Sequence, residues 1–337
     1  MRLVFRADGN ATIGLGHVVR SLALAAILDA GSQDCFVVRT PTQAVRTLVE
    51  AAGLHLIALT HDSWEAESEF LRRHLLTDTD VVVLDGYNFD TSYQHQVKAS
   101  GCRLVCIDDL RQGPFVADLI INHSPGVTSA MYETLPTTRF CLGPAFSLLR
   151  LPFLQHAQLP QLPAPISKVL LCFGGADPLQ LTARYLAGLL SQDAIQRVGL
   201  LMGSASVTAP EIAYLKAAYP QTRVEELRGL SAAAMVEALS LYDAVICPAS
   251  TILIESLALG KPAVTGYFVS NQHHLADYVH AHQQAYSVGN FMQYTGLELN
   301  QALGQGVQWL MHTPRQPYVT QFAPEQLRHE FQLLQSC

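Results

Sequence analysis

Short apolar runs that end on a polar or glycine residue and lead into helical patterns recur along this 337-residue chain, and that rhythm leaves few folds open. In the first half the runs are Leu3–Arg6, Cys35–Arg39, Leu54–Leu59, Val81–Asp85, Arg103–Asp108 and Leu119–Asn122. The stretches between them carry helical spacing. From His17 to Ala30, for example, Val18, Leu22, Ala25, Ala26 and Ile27 surround Arg20 and Ser21, and Gly31 reads as the C-cap. Strands alternating with helices predict βαβ units and a parallel sheet buried on both faces.

Between Arg150 and Lys168 the texture changes, because Pro152, Pro160, Pro163 and Pro165 do not suit a regular helix or a central strand. The alternation then resumes with Val169–Cys172, Val198–Met202, Arg223–Leu227, Ala244–Cys247 and Ala263–Tyr267. The expected architecture is α/β, with two facing Rossmann-like domains and a central cleft. Residues 1–150 form the first, 151–167 a proline-rich linker and 168–337 the second, with a last helix free to cross back to the first domain. No repeat period of a solenoid and no heptad pattern appears.

Composition narrows the class of partner. The chain has 21 basic and 28 acidic residues, a net charge of −7, which disfavours nucleic acid and anionic membrane surfaces and leaves a small ligand as the expectation. Seven cysteines is an odd number, and Cys35, Cys106, Cys172 and Cys247 fall inside apolar runs, so they read as reduced, buried thiols in a cytoplasmic protein. The N-terminus reads as a strand rather than a secretion signal, and no run reaches the length of a membrane span.

In open parallel sheets ligands bind beyond the carboxyl ends of the strands, which directs attention to five places. The first is the loop from Ala7 through Asp8, Gly14 and Gly16 to His17. Two glycines allow close backbone approach, and a helix N-terminus disfavours imidazolium, keeping the His17 ring neutral and able to accept a proton. An arbitrary histidine more often caps or packs; its position after this loop argues otherwise. Val19 stands where a dinucleotide fingerprint needs its third glycine, and there is no P-loop triplet.

The second place is Gly174-Gly175 before Asp177 and Pro178, a plausible phosphate cradle in which Asp177 or Pro178 starts the helix. The third is Ser250-Thr251, able to cap a helix whose free amides face a diphosphate, with Glu255 one turn on to accept ribose hydroxyls; the alternative is an amphipathic helix with Glu255 solvated. The fourth is Asn271-Gln272-His273-His274, opening the next helix with amides suited to sugar hydroxyl or acetamido groups. The fifth comprises Asp85-Gly86-Tyr87 and Asp108-Asp109. His273, Asp277 and His280 share a helical face, but a solvated polar face is the better reading, and no metal or cofactor is expected.

These residues resemble the UDP-sugar hydrolases of bacterial pseudaminic acid (nonulosonic acid) biosynthesis, relatives of the GT-B glycosyltransferases. The resemblance covers both domains and rests on Arg6-Ala7-Asp8 followed by Ile13-Gly14-Leu15-Gly16-His17 and Arg20, supported by Asp85-Gly86-Tyr87, Asp108-Asp109, Asn122, Gly174-Gly175, Ser250, Glu255 and Asn271-Gln272 in the same order. It implies a GT-B-like fold and hydrolysis of UDP-2,4-diacetamido-2,4,6-trideoxy-β-L-altropyranose by water with inversion. It further implies His17 as general base, with Asp8, Tyr87 and Arg20 supporting the water or sugar. Gly174, Gly175, Ser250 and Thr251 would hold the diphosphate, Glu255 the ribose, and Asn271 with Gln272 the sugar side. Gly86 stands where some relatives carry histidine.

UDP is a weakly basic leaving group, so amides and helix dipoles suffice for its charge and a metal is dispensable. Two rivals use the same nucleotide site. A GT-B glycosyltransferase would turn the base on an acceptor hydroxyl, and a non-catalytic UDP-sugar binding protein would need no base at all.

Overall fold

In the computed structural model, which describes residues 2–10, 13–174, 177, 179–203 and 209–336, the chain divides into two units: Met1–Leu151 with Gln321–Cys337, and Pro152–Thr320. Each is built on one parallel sheet.

The strands of the first unit are β1 (Arg2–Ala7), β2 (Cys35–Arg39), β3 (His55–Leu59), β4 (Asp80–Asp85), β5 (Arg103–Ile107), β6 (Leu119–Asn122) and β7 (Arg139–Leu142), in the spatial order β3-β2-β1-β4-β5-β6-β7. The helices are α1 (Gly16–Ile27), α2 (Gln43–Ala51), α3 (Trp64–Phe70), α4 (Thr91–Lys98) and α5 (Leu151–Gln155) at the junction of the units. Every run read as a strand forms one; β7 was not anticipated. It is a four-residue edge strand with only Cys141 buried, so its pattern is too short and too polar to announce itself.

Apolar burial explains why these segments pair. Val4, Val37, Val82, Leu84, Leu104 and Ile120 belong to one buried cluster drawn from five adjacent strands. Side chains start the helices: Thr42 caps α2 through Val45 N–H, Ser63 caps α3 through Ala66 N–H, and Asp90 caps α4 through Tyr93 N–H. Helix α1 ends earlier than the reading had it. Asp29, at φ 55°, takes the left-handed position after Ile27 and Leu28, while the Gly31 N–H donates to Asp34 Oδ2, so Gly31 is not the cap. Aspartate tolerates this conformation better than most residues with a Cβ. Pro152 likewise lies inside a helix, but in the first turn of α5, where a missing N–H costs nothing.

The second unit contains β8 (Lys168–Leu171), α6 (Leu181–Leu190), β9 (Arg197–Met202), α7 (Pro210–Ala218), β10 (Arg223–Arg228), α8 (Ala232–Ser240), β11 (Ala244–Pro248), α9 (Thr251–Ala258), β12 (Ala263–Tyr267), α10 (His273–Ala281), β13 (Tyr286–Asn290) and α11 (Gly296–His312). Its order is β10-β9-β8-β11-β12-β13. Strand β13 also escaped the sequence reading: it is an edge strand with Val288 its one buried residue and Gly289 at φ 75°. A last helix, α12 (Pro324–Ser336), belongs to the first unit, where Arg328 Nε donates to the Ile27 carbonyl at 2.5 Å and Arg139 Nε to Glu330 at 2.5 Å.

The two sheets share one topological property. Strand order reverses beside β1 and β4 in the first unit and beside β8 and β11 in the second, and such switch points open a crevice at the carboxyl edge. Among the described residues, no helix is long and apolar enough to cross a membrane.

The second sheet makes one close approach that only glycine permits. A Cβ on Gly199 of β9 would lie 2.3 Å from Tyr242 Oη and 2.5 Å from its Cζ. Tyr242 is buried and hydrogen-bonded to Glu225, so it has little freedom to withdraw. Gly199→Ala is expected to lower stability by about 1–3 kcal/mol, read as a lower urea midpoint; an unchanged midpoint would show that Tyr242 repacks.

Candidate active site

At the first switch point, β1 and β4 run side by side with Ala7 opposite Asp85. The chain leaves β1 through a loop closed by the Asn10 and Gly14 backbones, with Gly14 at φ 76°. Helix α1 then begins at Gly16 without a side-chain cap, its N-cap being Leu15. A Cβ added at Gly14 or Gly16 would meet nothing within 4 Å, so both glycines face open space. His17, the second residue of the helix, is held by Asp85 at the tip of β4: Nδ1 lies 2.7 Å from Asp85 Oδ1.

Asp85 is fully buried, yet its carboxyl is held below the usual carboxylate range. Burial alone would raise it; the Arg20 guanidinium, the His17 hydrogen bond and the Arg20 hydrogen bonds outweigh that. Arg20 Nε and Nη2 reach the carboxylate at 2.6–3.0 Å, and Ser21 Oγ donates at 3.0 Å. The arrangement decides the histidine tautomer. Asp85 as an anion and Arg20 Nη2, 3.1 Å from Nδ1, allow only one consistent donor pattern: Nδ1–H donates to Asp85 and the guanidinium hydrogens go to carboxylates. The Nε2 lone pair is left to accept a proton, and an imidazolium formed there would have an anion at its back.

Arg20 Nη1 continues to Asp109 Oδ2 at 2.8 Å, and Tyr87 Oη donates to the same oxygen at 3.2 Å. The half-exposed Tyr87 ring stands edge-on to His17 with centroids 4.8 Å apart. His17, Arg20 and Tyr87 are therefore assembled around Asp85 and Asp109, whose partnership with them lies too far along the chain for spacing to disclose. His123, just beyond β6, belongs to the same electrostatic group. Burial and then the Arg20 charge push its pKa down to about 4, so it is neutral at pH 7, and its Nδ1 is buried without a hydrogen-bond partner. A polar residue ending a strand was the only sign of it in the sequence.

Asp8 goes elsewhere. Both its oxygens pair with the buried Arg6 guanidinium at 2.6 and 2.8 Å, and Oδ1 also accepts the Arg39 N–H at 2.8 Å. Arg6 and Arg39 both bind Glu67, which also accepts from Tyr93 Oη at 2.7 Å. Asp8 thus belongs to the ion network beside the His17 cluster. Asp108 and Asn122 also form a local group: Asp108 accepts from the Leu110 and Arg111 amides, from Asn122 Nδ2 and from Tyr132 Oη, fixing the turn after β5.

At the second switch point, Gly174 follows β8 at φ 90° with open space where a Cβ would be; Gly175 and Pro178 lie outside the described residues. Helix α6 starts at Leu181, later than expected, and Asp177 caps it by accepting the Leu181 and Thr182 amides. After β11, Ser250 is the N-cap of α9 by position, but its hydroxyl makes no cap bond, and Thr251 is the first helical residue. The expected side-chain cap is thus absent. Glu255 is 2% exposed, which overturns the solvated alternative. Its charge adds to the burial that pushes the Cys172 thiol up to about 11.

Asn271 and Gln272 sit in a single 3₁₀ turn, Ser270–Gln272, ahead of α10 rather than opening it, and Gln272 Oε1 accepts the Phe268 N–H. His273 pairs with Asp277 at 3.1 Å on an exposed face, while His280 Nδ1 accepts the Ser287 N–H. Among the described residues, no group of three or more His, Cys, Asp or Glu has metal-binding geometry.

No family model matches the chain. An uncharacterized protein of Methanocaldococcus jannaschii is 23% identical over 276 residues, 79% of this chain and 56% of that protein, so the chain spans about half the length of the curated relative it matches. Among solved structures, MurG of Acinetobacter baumannii superposes with a TM-score of 0.65 at 14% identity, covering 100% of this chain and 99% of that one. HepE of Anabaena, in complex with UDP-glucose, gives 0.59 at 11% identity with both chains fully covered (100% and 100%). A UDP-glucosyltransferase from Polygonum tinctorium gives 0.57 at 12%, covering 99% of this chain and 93% of that one. At these identities the likeness establishes the fold, two Rossmann-like α/β domains of the GT-B class.

The Arg6–Glu67 network makes a pH-dependent contribution to stability. Glu67 is held below its ordinary pKa: burial opposes this, and the hydrogen bond and charge of Arg6 overcome it, with Tyr93 and Arg39 adding to them. In the unfolded chain it titrates near about 4.3, so its contribution is complete above that pH and is lost as pH falls through the lower folded value. Glu67→Gln leaves two guanidinium groups short of a counter-charge and is expected to cost about 3–5 kcal/mol at pH 7. Urea titrations from pH 7 to 3 should show the variant losing less stability than wild type on acidification; parallel curves would refute the assignment.

Proposed function

We propose that this chain hydrolyses UDP-2,4-diacetamido-2,4,6-trideoxy-β-L-altropyranose to UDP and the free sugar, with inversion at the anomeric carbon. The observation that carries the reading is the 2.7 Å contact between His17 Nδ1 and Asp85, which leaves Nε2 as a proton acceptor at an open glycine-lined helix start. The resemblance of the Arg6-to-Arg20 segment to the hydrolases of pseudaminic acid biosynthesis supplies the substrate. Similarity to HepE, whose structure holds UDP-glucose, supports a nucleotide-sugar ligand.

His17 Nε2 takes a proton from water as the water oxygen bonds to the anomeric carbon, and the bond from that carbon to the β-phosphate oxygen breaks with its electron pair leaving on UDP. The imidazolium formed is stabilised by Asp85, which remains ionised. Arg20 holds Asp85 and Asp109 in place, Tyr87 flanks the sugar, and Asp8 acts from one step back by fixing Arg6 and the Arg39 backbone. In the second unit, amides at Gly174, Gly175, Ser250 and Thr251 take the developing diphosphate charge, where an unused hydroxyl cap leaves helix N–H groups for an anion. Glu255 takes the ribose, and Asn271 and Gln272 the sugar side. These roles need neither a metal nor a cofactor.

Glycosyl transfer is the second reading, favoured by the likeness to a UDP-glucosyltransferase. It uses the same base on an acceptor hydroxyl, so the two readings part only when acceptor is withheld. Proton NMR of the anomeric signal with substrate in acceptor-free buffer is expected to show UDP release with an inverted free sugar; an intact substrate would favour transfer. His17→Ala is expected to lower turnover by about 10²–10⁴-fold while calorimetry finds UDP affinity unchanged. A variant at full rate would remove His17 as the base.

A further inference from the structure

Between α3 and α4 the first unit opens a cleft of about 320 Å³, and none of the residues gathered around Asp85 lines it. That volume is enough for one small molecule. Trp64 and Tyr93 give it aromatic walls, and the Tyr93 hydroxyl is already committed to Glu67 at 2.7 Å. Charged groups supply much of the rest. Helix α3 contributes Glu65 and Glu69 and continues into a π-helical turn, Leu71–Leu75, that brings Arg72 to the same cleft. Such turns are rare and recur at functional sites. Asp90, the N-cap of α4, lines the opposite side.

The ion pairing of these side chains is incomplete. Glu69 is bound by Arg73 at 2.6 Å. Arg72 makes no hydrogen bond or ion pair among the described residues: its Nε is sealed from water without a partner, while Nη1 and Nη2, equally unpartnered, keep accessible surface. Glu65 has no ion pair among them either, and the exposed Asp90 spends only Oδ1, on the Tyr93 N–H. One guanidinium and two carboxylates thus line the cleft without a counter-charge.

We infer that this cleft binds an α-amino acid with a basic side chain. The α-carboxylate takes the Nη1–Nη2 fork of Arg72, the two ammonium groups meet Glu65 and Asp90, and the methylene stem lies against Trp64 and Tyr93. A simple anion reaches Arg72 only beside two like charges, and a simple amine leaves the guanidinium unanswered. A ligand with one negative and two positive groups balances a site with one positive and two negative ones. The site stands apart from the reaction proposed at His17 and goes beyond it.

The chain has two tryptophans, so its indole N–H groups give two signals: Trp64 in the cleft and Trp309 in α11 of the second unit. ¹H–¹⁵N NMR of the full chain follows both during separate titrations with L-lysine, n-butylammonium and propionate. L-Lysine is expected to shift Trp64 saturably, to leave Trp309 still, and to bind at least about tenfold more tightly than either single-charge probe. Arg72→Met, which keeps the length of the stem at a partly exposed position, is expected to weaken L-lysine about tenfold and to leave n-butylammonium unchanged. Glu65→Gln, at an exposed position, is expected to weaken both. A Trp64 signal unmoved by L-lysine, equal affinity for all three probes, or L-lysine affinity untouched by either substitution would overturn the inference. A variant whose unliganded Trp64 signal keeps its wild-type position has an intact cleft; if Arg72→Met displaces that signal, Glu65→Gln decides.

Discussion

The first unit is organised around a single buried anion. Asp85 ends the strand at which the sheet order reverses, and an ionised carboxylate with no exposure to water is unfavourable unless every lone pair is answered. Arg20, Ser21 and His17 answer them, and all three belong to α1. The demand for charge balance therefore fixes the rotation of that helix over the sheet, the ring orientation of His17 and the tautomer it carries. The His17 ring therefore cannot be loosened without exposing the cost of the anion behind it. Glu67 repeats the motif next door, with Arg6, Arg39 and Tyr93 surrounding a second desolvated carboxylate.

These two networks also divide labour. One reaches the surface through His17 and Tyr87; the other is centred on the fully buried Arg6 and Glu67 and ties β1, β2 and α3 together through Arg39. Trp64 lies over the Arg39 guanidinium at 3.6 Å, and Arg6 approaches the Phe89 ring at 5.1 Å, so the inner network is walled by aromatic faces. A rigid support of this kind holds the neighbouring His17 ring, 12% exposed, in a fixed place.

Much of this was legible in the sequence, and the rest was hidden for identifiable reasons. Central strands declared themselves because apolar burial on both faces writes a continuous run, while β7 and β13, with one buried side chain each, wrote nothing clear. His17, Arg20 and Tyr87 could be singled out because they follow strands. Their mutual partner could not be assigned, because Asp85 meets His17 across 68 residues of chain and only the parallel pairing of β1 with β4 brings them together. Local signals misled where two residues compete for one job. Gly31 was the natural helix stop, yet Asp29 took the left-handed turn; Ser250 holds the cap position without making the cap bond. His123 was invisible for a different reason: its neutrality comes from burial and a neighbouring guanidinium, neither of which has a sequence pattern.

The last helix gives the chain a schedule as well as a shape. Because α12 belongs to the unit that begins with β1, with Arg328 reaching the end of α1 and Glu330 reaching β7, the first unit is interrupted by the whole of the second. During synthesis the second unit has all its strands outside the ribosome before the first has its closing helix. The unit that carries His17 must wait for residues made more than a hundred and fifty positions later, so its early exposure is a matter for the folding machinery rather than for the finished fold.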